Sequence, residues 1–170
     1  AGTGIAHCPS SNMRLASGTA RVLDLEAAGS PVGIGVDGSA SNDRSSMIVE
    51  ARQALLLQRL RYGADVLVER ALGWATAGSA AVLGRRDIGR IEVGAQADLA
   101  LFTLDDIRFS GAHDPVAALL LCGAERADRV MVGGEWRVVD GRVEGLDVER
   151  LVAHHSEAAR RLVGGEERAA

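Results

Sequence analysis

Apolar positions near the start of the chain fall into two short runs. Thr3 to Cys8 and Val32 to Val36 each have the length and continuity of a buried strand. Pro9 to Gly18 is rich in Ser, Asn and Gly and reads as a loop. Val22, Leu23, Leu25 and Ala28 then fit a short helix ending at Gly29, with Pro31 beyond it as a stop. Strand, helix and strand, with more than twenty residues between the runs, is the signature of a parallel βαβ crossover. Uninterrupted apolar runs of this kind predict strands buried on both faces. Gly33 and Gly35 weaken an isolated strand and point to close approach of backbone or ligand.

Asp37 to Asp43 is a polar loop rich in capping residues, and Asn42, Asp43 or Ser45 is expected to cap a long helix from about Ser46 to Leu60. Met47, Val49, Ala54, Leu55, Leu57 and Leu60 are helically spaced along it, and Gly63 ends it. Ala64 to Leu83 is a further helical stretch, interrupted near Gly78 and terminated at Gly84. The texture then changes. Ile91 to Asp98 reads as a turn between strands, followed by a strand from Leu99 to Phe102. Asp114-Pro115 starts a short helix, Val116 to Cys122. Arg129 to Val132 and Trp136 to Val139 flank Gly133-Gly134-Glu135, a hairpin signal. Asp147 to Val163 reads as an amphipathic helix with Val148, Leu151, Val152, Ala159 and Leu162 near one face, and residues 164–170 read as a tail. A boundary between an α/β part and a smaller β-rich part is expected between residues 84 and 92.

Composition narrows the classes. With 170 residues, 47% hydrophobic and a net charge of -4, the chain has the apolar content to fold as one or two small domains, which excludes disorder. Its 19 basic residues are all arginines, scattered from Arg14 to Arg168 and outnumbered by 23 acidic ones, so no nucleic-acid partner is expected. No apolar run approaches the roughly 20 residues needed to cross a bilayer, so no membrane is expected either. Two cysteines, Cys8 and Cys122, cannot build a disulfide framework and point to a reducing cytoplasm. The chain has no initiator Met and no targeting segment, and it opens on a strand already under way; it is expected to be the downstream part of a longer protein.

Ligand sites in parallel α/β sheets lie beyond the carboxyl ends of the strands. His7 follows the first strand and Asp37 the second, which aims both at one pocket. Each also has a plainly structural reading: His7 as a partly buried imidazole bonded to the next loop, Asp37 as the start of an Asp-Gly turn. One carboxylate and one imidazole do not make a metal site, because a catalytic zinc takes three protein ligands. His113 reads as a surface residue, and His154 and His155, adjacent on a helix, cannot chelate one ion as an i, i+4 pair does. Cys8 and His7 are not a thiol–imidazole pair, since neighbours on a strand face opposite ways. The Gly33-x-Gly35 stretch is not a phosphate loop, because its helix starts too late, and Ser10, Ser11 and Ser39 lack a nucleophile elbow. Trp74, the large aromatic of the long helices, reads as packing.

Residues 5–15 (Ile-Ala-His-Cys-Pro-Ser-Ser-Asn-Met-Arg-Leu) and 33–43 (Gly-Ile-Gly-Val-Asp-Gly-Ser-Ala-Ser-Asn-Asp) together resemble the amidohydrolase superfamily, in the branch that holds cytosine and guanine deaminases, triazine hydrolases and 8-oxoguanine deaminases. Residues 88–102 resemble that superfamily's return from barrel to β-sandwich, and 109–115 and 127–134 look most like its 8-oxoguanine deaminases. The resemblance covers nearly the whole chain. It implies an α/β fold class: the C-terminal part of a (β/α)8 TIM-like barrel, its last two strands and helices, over residues 1–88, and part of a small β-sandwich over 89–145. A C-terminal helix and tail would occupy 146–170.

Under this resemblance Asp37 matches the strand-eight aspartate, a ligand of the catalytic divalent metal (zinc, or iron) and a proton shuttle. His7, Asn12 and Ser39 match positions that face the substrate. The implied activity is hydrolytic deamination of an oxopurine, 8-oxoguanine to urate and ammonia, by attack of metal-bound hydroxide on the ring carbon that bears the amine. An s-triazine hydrolase of the same superfamily, or a non-catalytic scaffold, is the alternative. The implied partner is a small purine-like molecule, and the full-length enzyme is expected to be a homo-oligomer. The superfamily's first-strand His-x-His, strand-five His and Glu and strand-six His have no counterpart here, and a whole barrel takes about 250 residues. The chain by itself is therefore not expected to be a competent deaminase.

Overall fold

A computed structural model describes residues 2–166, with side chains up to Gly164. Ala1 and the tail beyond Glu166 lie outside the described residues.

The two apolar runs form strands β1 (Ile5–His7) and β2 (Val32–Ile34), which pair in parallel with Ile5 opposite Val32 and His7 opposite Ile34. Helix α2 (Val22–Ala27) is the crossover, stopped where Gly29 turns at φ +84°. The expected loop after β1 instead contains helix α1 (Pro9–Arg14). Pro9 stands at its first position, where the missing N–H is not needed and the fixed φ suits a helix. Pro9 and Ser11 are buried, so packing overrides the weak helix propensity of the Ser-Ser-Asn stretch. A second expectation fails at β1: β2 is buried throughout, but Ala6 is exposed. Among the described residues β1 has a partner on one side only.

Helix α3 (Met47–Tyr62) starts at Ser46, whose hydroxyl accepts from Val49 N, and ends at Gly63 with φ +93°. The cap is Ser46 rather than Asn42, Asp43 or Ser45, because the Asn42 side chain is used inside the preceding loop. The next helical stretch is α4 (Val68–Gly73), a π-turn over Trp74–Gly78 and α5 (Ser79–Val82). It lies almost backbone to backbone on β2. A Cβ at Gly78 would stand 2.2 Å from the Val32 carbonyl oxygen, and one at Gly33 would stand 2.6 Å from Ser79 Cα. Ser79 Oγ fills this contact by accepting from Ile34 N (3.1 Å) and donating to the Trp74 carbonyl (2.8 Å). Gly33 is thus explained by approach of a helix backbone. Val22, Val32, Ile34, Ala51, Ala54, Leu55, Ala71 and Trp74 form the core between these layers, as expected for Trp74.

The remainder is an antiparallel sheet in the order β3 (Leu99–Leu101), β4 (Arg129–Val132), β5 (Glu135–Val139) and β6 (Arg142–Val143). The β4–β5 hairpin turns on Gly133 and Gly134, both at positive φ. Asp98 Oδ1 accepts from Gly133 N at 2.7 Å and ties the entrance of β3 to that turn. Residues 91–98 link a helix to β3 rather than two strands. Asp114 caps α6 (Pro115–Ala117) by accepting from Val116 N and Ala117 N, and a π-turn continues it over Ala118–Gly123. That turn puts Leu120 into the first core and Ala118 into a smaller one with Phe109 and Ala124. Helix α7 (Val148–Glu166) has Asp147 at its start, accepting from Arg150 N, and leaves Leu151, Val152, Leu162 and Val163 exposed. No helix among the described residues is long and apolar enough to cross a membrane.

Candidate functional site

The carboxyl ends of β1 and β2 open onto α1 and the loop 36–46, and the polar side chains there interlock. Asp37 is exposed, at φ +63°, a conformation that short polar side chains tolerate better than others. Its Oδ2 accepts from Ser11 Oγ and from Ser41 Oγ (3.0 Å), and its Oδ1 accepts from Gly38 N (2.8 Å). Those three donors, Ser11 first, hold its carboxyl below the ordinary aspartate range, so it is an anion at neutral pH.

Beneath this rim sits Glu50, in the first turn of α3 and fully buried. Its carboxylate accepts from Ser10 N (3.0 Å), Ser10 Oγ and Asn42 Nδ2 (2.9 Å). Asn42, also buried, donates to the Val36 carbonyl (2.8 Å) and accepts from Arg44 N and Ser45 N, so one amide ties the whole loop together.

The predicted residues do not all meet. Asp37 is on the open rim, and Ser39 lies exposed in the same loop. The Asn12 amide donates to Ser17 Oγ (3.1 Å) at the far end of α1. His7 is 3% exposed, turned away from the face that Ala6 shares with Cys8 and Gly35, and neither ring nitrogen has a partner among the described residues. The hydrogen bond expected from His7 to the next loop is absent among those residues. Cys8 Sγ would stand 3.1 Å from a Cβ at Gly35, so Cys8 and His7 do face opposite ways. Burial, and then the Asp37 and Glu50 charges, push the Cys8 thiol upward, which makes it a poor nucleophile.

Burial lowers the His7 pKa below 6.5, with the Glu50 charge pulling the other way. The unfolded chain therefore takes up a proton on this side chain at a pH where the folded chain does not, and stability falls as pH drops through about 6.5. Calorimetry from pH 7.5 to 5.0 is expected to show a shallower decline of melting temperature for His7→Gln than for the native chain. Equal slopes would mean that His7 is protonated equally in both states.

Ser11, Asn42 and Glu50 were not singled out for a site from the sequence. Glu50 had a readable signal: Glu50, Ala54 and Gln58 follow each other at intervals of four and put two polar residues on the face that buries Leu55. A second cleft, of about 500 Å³, lies at the opposite end of β2, between Glu26, Pro31, Arg70 and Trp74. There Glu26 is paired with Arg70 Nη2 (2.8 Å) and Trp74 Nε1 (2.8 Å).

The donors at the rim bear on metal binding. Asp37 fits as one oxygen ligand, whereas no three His, Cys, Asp or Glu side chains among the described residues converge to hold an ion.

Comparison with known proteins matches residues 1–137 to the amidohydrolase family. The chain is 70% identical over 166 residues to an 8-oxoguanine deaminase of Pseudomonas aeruginosa, an alignment covering 97% of this chain and 37% of that protein. Among solved structures, a zinc-bound adenosine deaminase of Xanthomonas campestris superposes with a TM-score of 0.89 at 32% identity, over 95% of this chain and 38% of that one. A zinc-complexed atrazine chlorohydrolase of Arthrobacter aurescens gives 0.86 at 36% identity, over 92% and 36%. The chain thus spans little more than a third of the length of these relatives.

Proposed function

We propose that this chain, which belongs to the amidohydrolase family, supplies the strand-end aspartate of a metal-dependent deaminase whose complete form converts 8-oxoguanine and water to urate and ammonia. The observation that carries this reading is the 70% identity, over nearly the whole chain, to an 8-oxoguanine deaminase. In this reading residues 1–88 are the last two strands and helices of a (β/α)8 barrel, 89–145 part of a β-sandwich, and 146–170 a C-terminal helix and tail.

The geometry of Asp37 suits the role. An ionised carboxylate has about four lone-pair sites. Two serine hydroxyls occupy Oδ2 and one N–H occupies Oδ1, so the free lone pair belongs to Oδ1. A divalent metal, when bound, supplies a water acidic enough to react at neutral pH. Asp37 would ligate it through that lone pair, and a serine hydroxyl turning away from Oδ2 would free the site at which the carboxylate takes up the proton and passes it to the departing amine. Ser11 and Ser41 keep the carboxylate from rotating. Ser39, one residue past Gly38 in the same exposed loop, would meet the substrate from there, and Asn12, bonded to Ser17, and the buried His7 would have to turn to join it. The full-length enzyme would be a homo-oligomer working in the cytoplasm.

The test is an assay of the complete enzyme with 8-oxoguanine and with an s-triazine. Urate and ammonia released from the first, and no reaction with the second, is the expected result. Turnover of the triazine alone would favour the chlorohydrolase reading, which the 0.86 superposition with an atrazine chlorohydrolase supports. The 170-residue chain itself is expected to show neither activity and to bind zinc weakly, with one carboxylate at the rim. A stoichiometric, tight zinc complex by calorimetric titration would show that it carries a complete ligand set.

A further inference from the structure

We propose that Glu50 is a positioning residue for Asp37: its buried carboxylate clamps the helix after β1 to the loop after β2, so that the aspartate is presented at one fixed place on the rim. The proposal rests on the functional reading above for the importance of Asp37, and on the hydrogen bonds for the rest.

Glu50 is fully buried, on a helix face that also buries Ala51, Ala54 and Leu55. No arginine pairs with it among the described residues. Its carboxyl oxygens accept from dipoles instead, and every one of those dipoles belongs to a segment that leads to Asp37. Ser10 N and Oγ come from the first turn of α1, and the next residue, Ser11, donates to Asp37 Oδ2. Asn42 Nδ2 comes from the loop after β2, and the same nitrogen donates to the carbonyl of Val36, the residue before Asp37. Asn42 N bonds to the Gly38 carbonyl (3.0 Å), closing the turn that Asp37 opens. The carboxylate therefore reaches the aspartate by two routes, one through each strand end. A Gln at this position keeps the shape but turns an N–H₂ group toward one of these donors and opens one route.

The experiment is amide hydrogen exchange, read by NMR on the chain without metal or substrate, for E50Q, N42A and their double variant. Leu55→Ala serves as the control, because it destabilises α3 from its buried face without touching the network. E50Q and N42A are each expected to speed exchange at Gly38, Ser41 and Asn42 about tenfold or more, while amides of the β4–β5 hairpin keep native protection. The double variant is expected to add less than about threefold, since both changes cut the same clamp. Leu55→Ala, at an equal or larger loss of melting temperature, is expected to leave Gly38 within about threefold of native. Exchange at Gly38 that is unchanged in E50Q, or that rises only in step with melting temperature as in Leu55→Ala, would overturn the proposal. So would effects of the two variants that multiply. Because this readout needs no substrate, it stands apart from the 8-oxoguanine assay: a failed assay with a loosened Gly38 removes the functional reading and leaves the clamp.

Discussion

Asp37→Asn is expected to lower the turnover number of the complete enzyme by about 10²–10⁴-fold, the range for removing a positioned proton carrier. Melting temperature should hardly change. The reason for expecting so clean a separation is local. Asp37 occupies φ +63°, where asparagine is among the few residues accommodated without strain, so the loop backbone keeps its shape. The amide oxygen still accepts from Gly38 N, and the amide N–H₂ faces the Ser11 and Ser41 hydroxyls, which can turn to accept from it. What is lost is the negative charge and the lone pair that would carry the proton. Ammonia release measures the first effect, and zinc content measured on the purified variant reports the loss of a ligand. Turnover within a factor of about ten of native would remove Asp37 from the proton path.

Gly78→Ala is expected to be the most damaging glycine-to-alanine change among the described residues, costing about 3 kcal/mol or more. The added Cβ would stand 2.2 Å from the Val32 carbonyl oxygen and 3.1 Å from that of Gly73. Both obstacles are backbone, so no side-chain rotation relieves the clash, and the helix must lift from β2 or the π-turn must rewind. The neighbouring glycine gives the opposite sign. Gly73 has helical angles, φ -58° and ψ -42°, and open space where its Cβ would go. Gly73→Ala is therefore expected to stabilise by about 0.5–1 kcal/mol, by restricting the unfolded chain. Urea denaturation of both variants checks the pair. A Gly78→Ala midpoint equal to native would mean that this helix does not lie against β2.

What could be read from the sequence divides along the range of the interactions. The Gly63 and Gly133-Gly134 stops and the Asp114 cap follow from neighbours a few residues apart, and the βαβ crossover from the order and spacing of two local apolar runs; the structure has each of them. Helix α1 was missed because Ser10, Ser11 and Asn12 favour loops on their own, and only the burial of Pro9 and Ser11 turns the balance. The Ser46 cap was missed by one residue, since Asn42 is drawn away by Glu50, eight positions on. At the site, Asp37 is proposed through family resemblance, not through spacing, which favours reading it as a turn residue. Its supports were beyond local reading: Ser11 meets it across 26 positions, and Ser10 meets Glu50 across 40. His7 shows a different limit: its place at a strand end is readable from the sequence, whereas the burial of its side chain is not.

The one-sided pairing of β1 among the described residues bears on how this polypeptide behaves in solution. A short ribbon whose outer margin offers amide hydrogens and carbonyl oxygens to the solvent is a template, and another chain is the readiest thing to fill it. Dilution, more than cooling, should then decide how much of a preparation stays monomeric, and light scattering measured across a concentration series would show it.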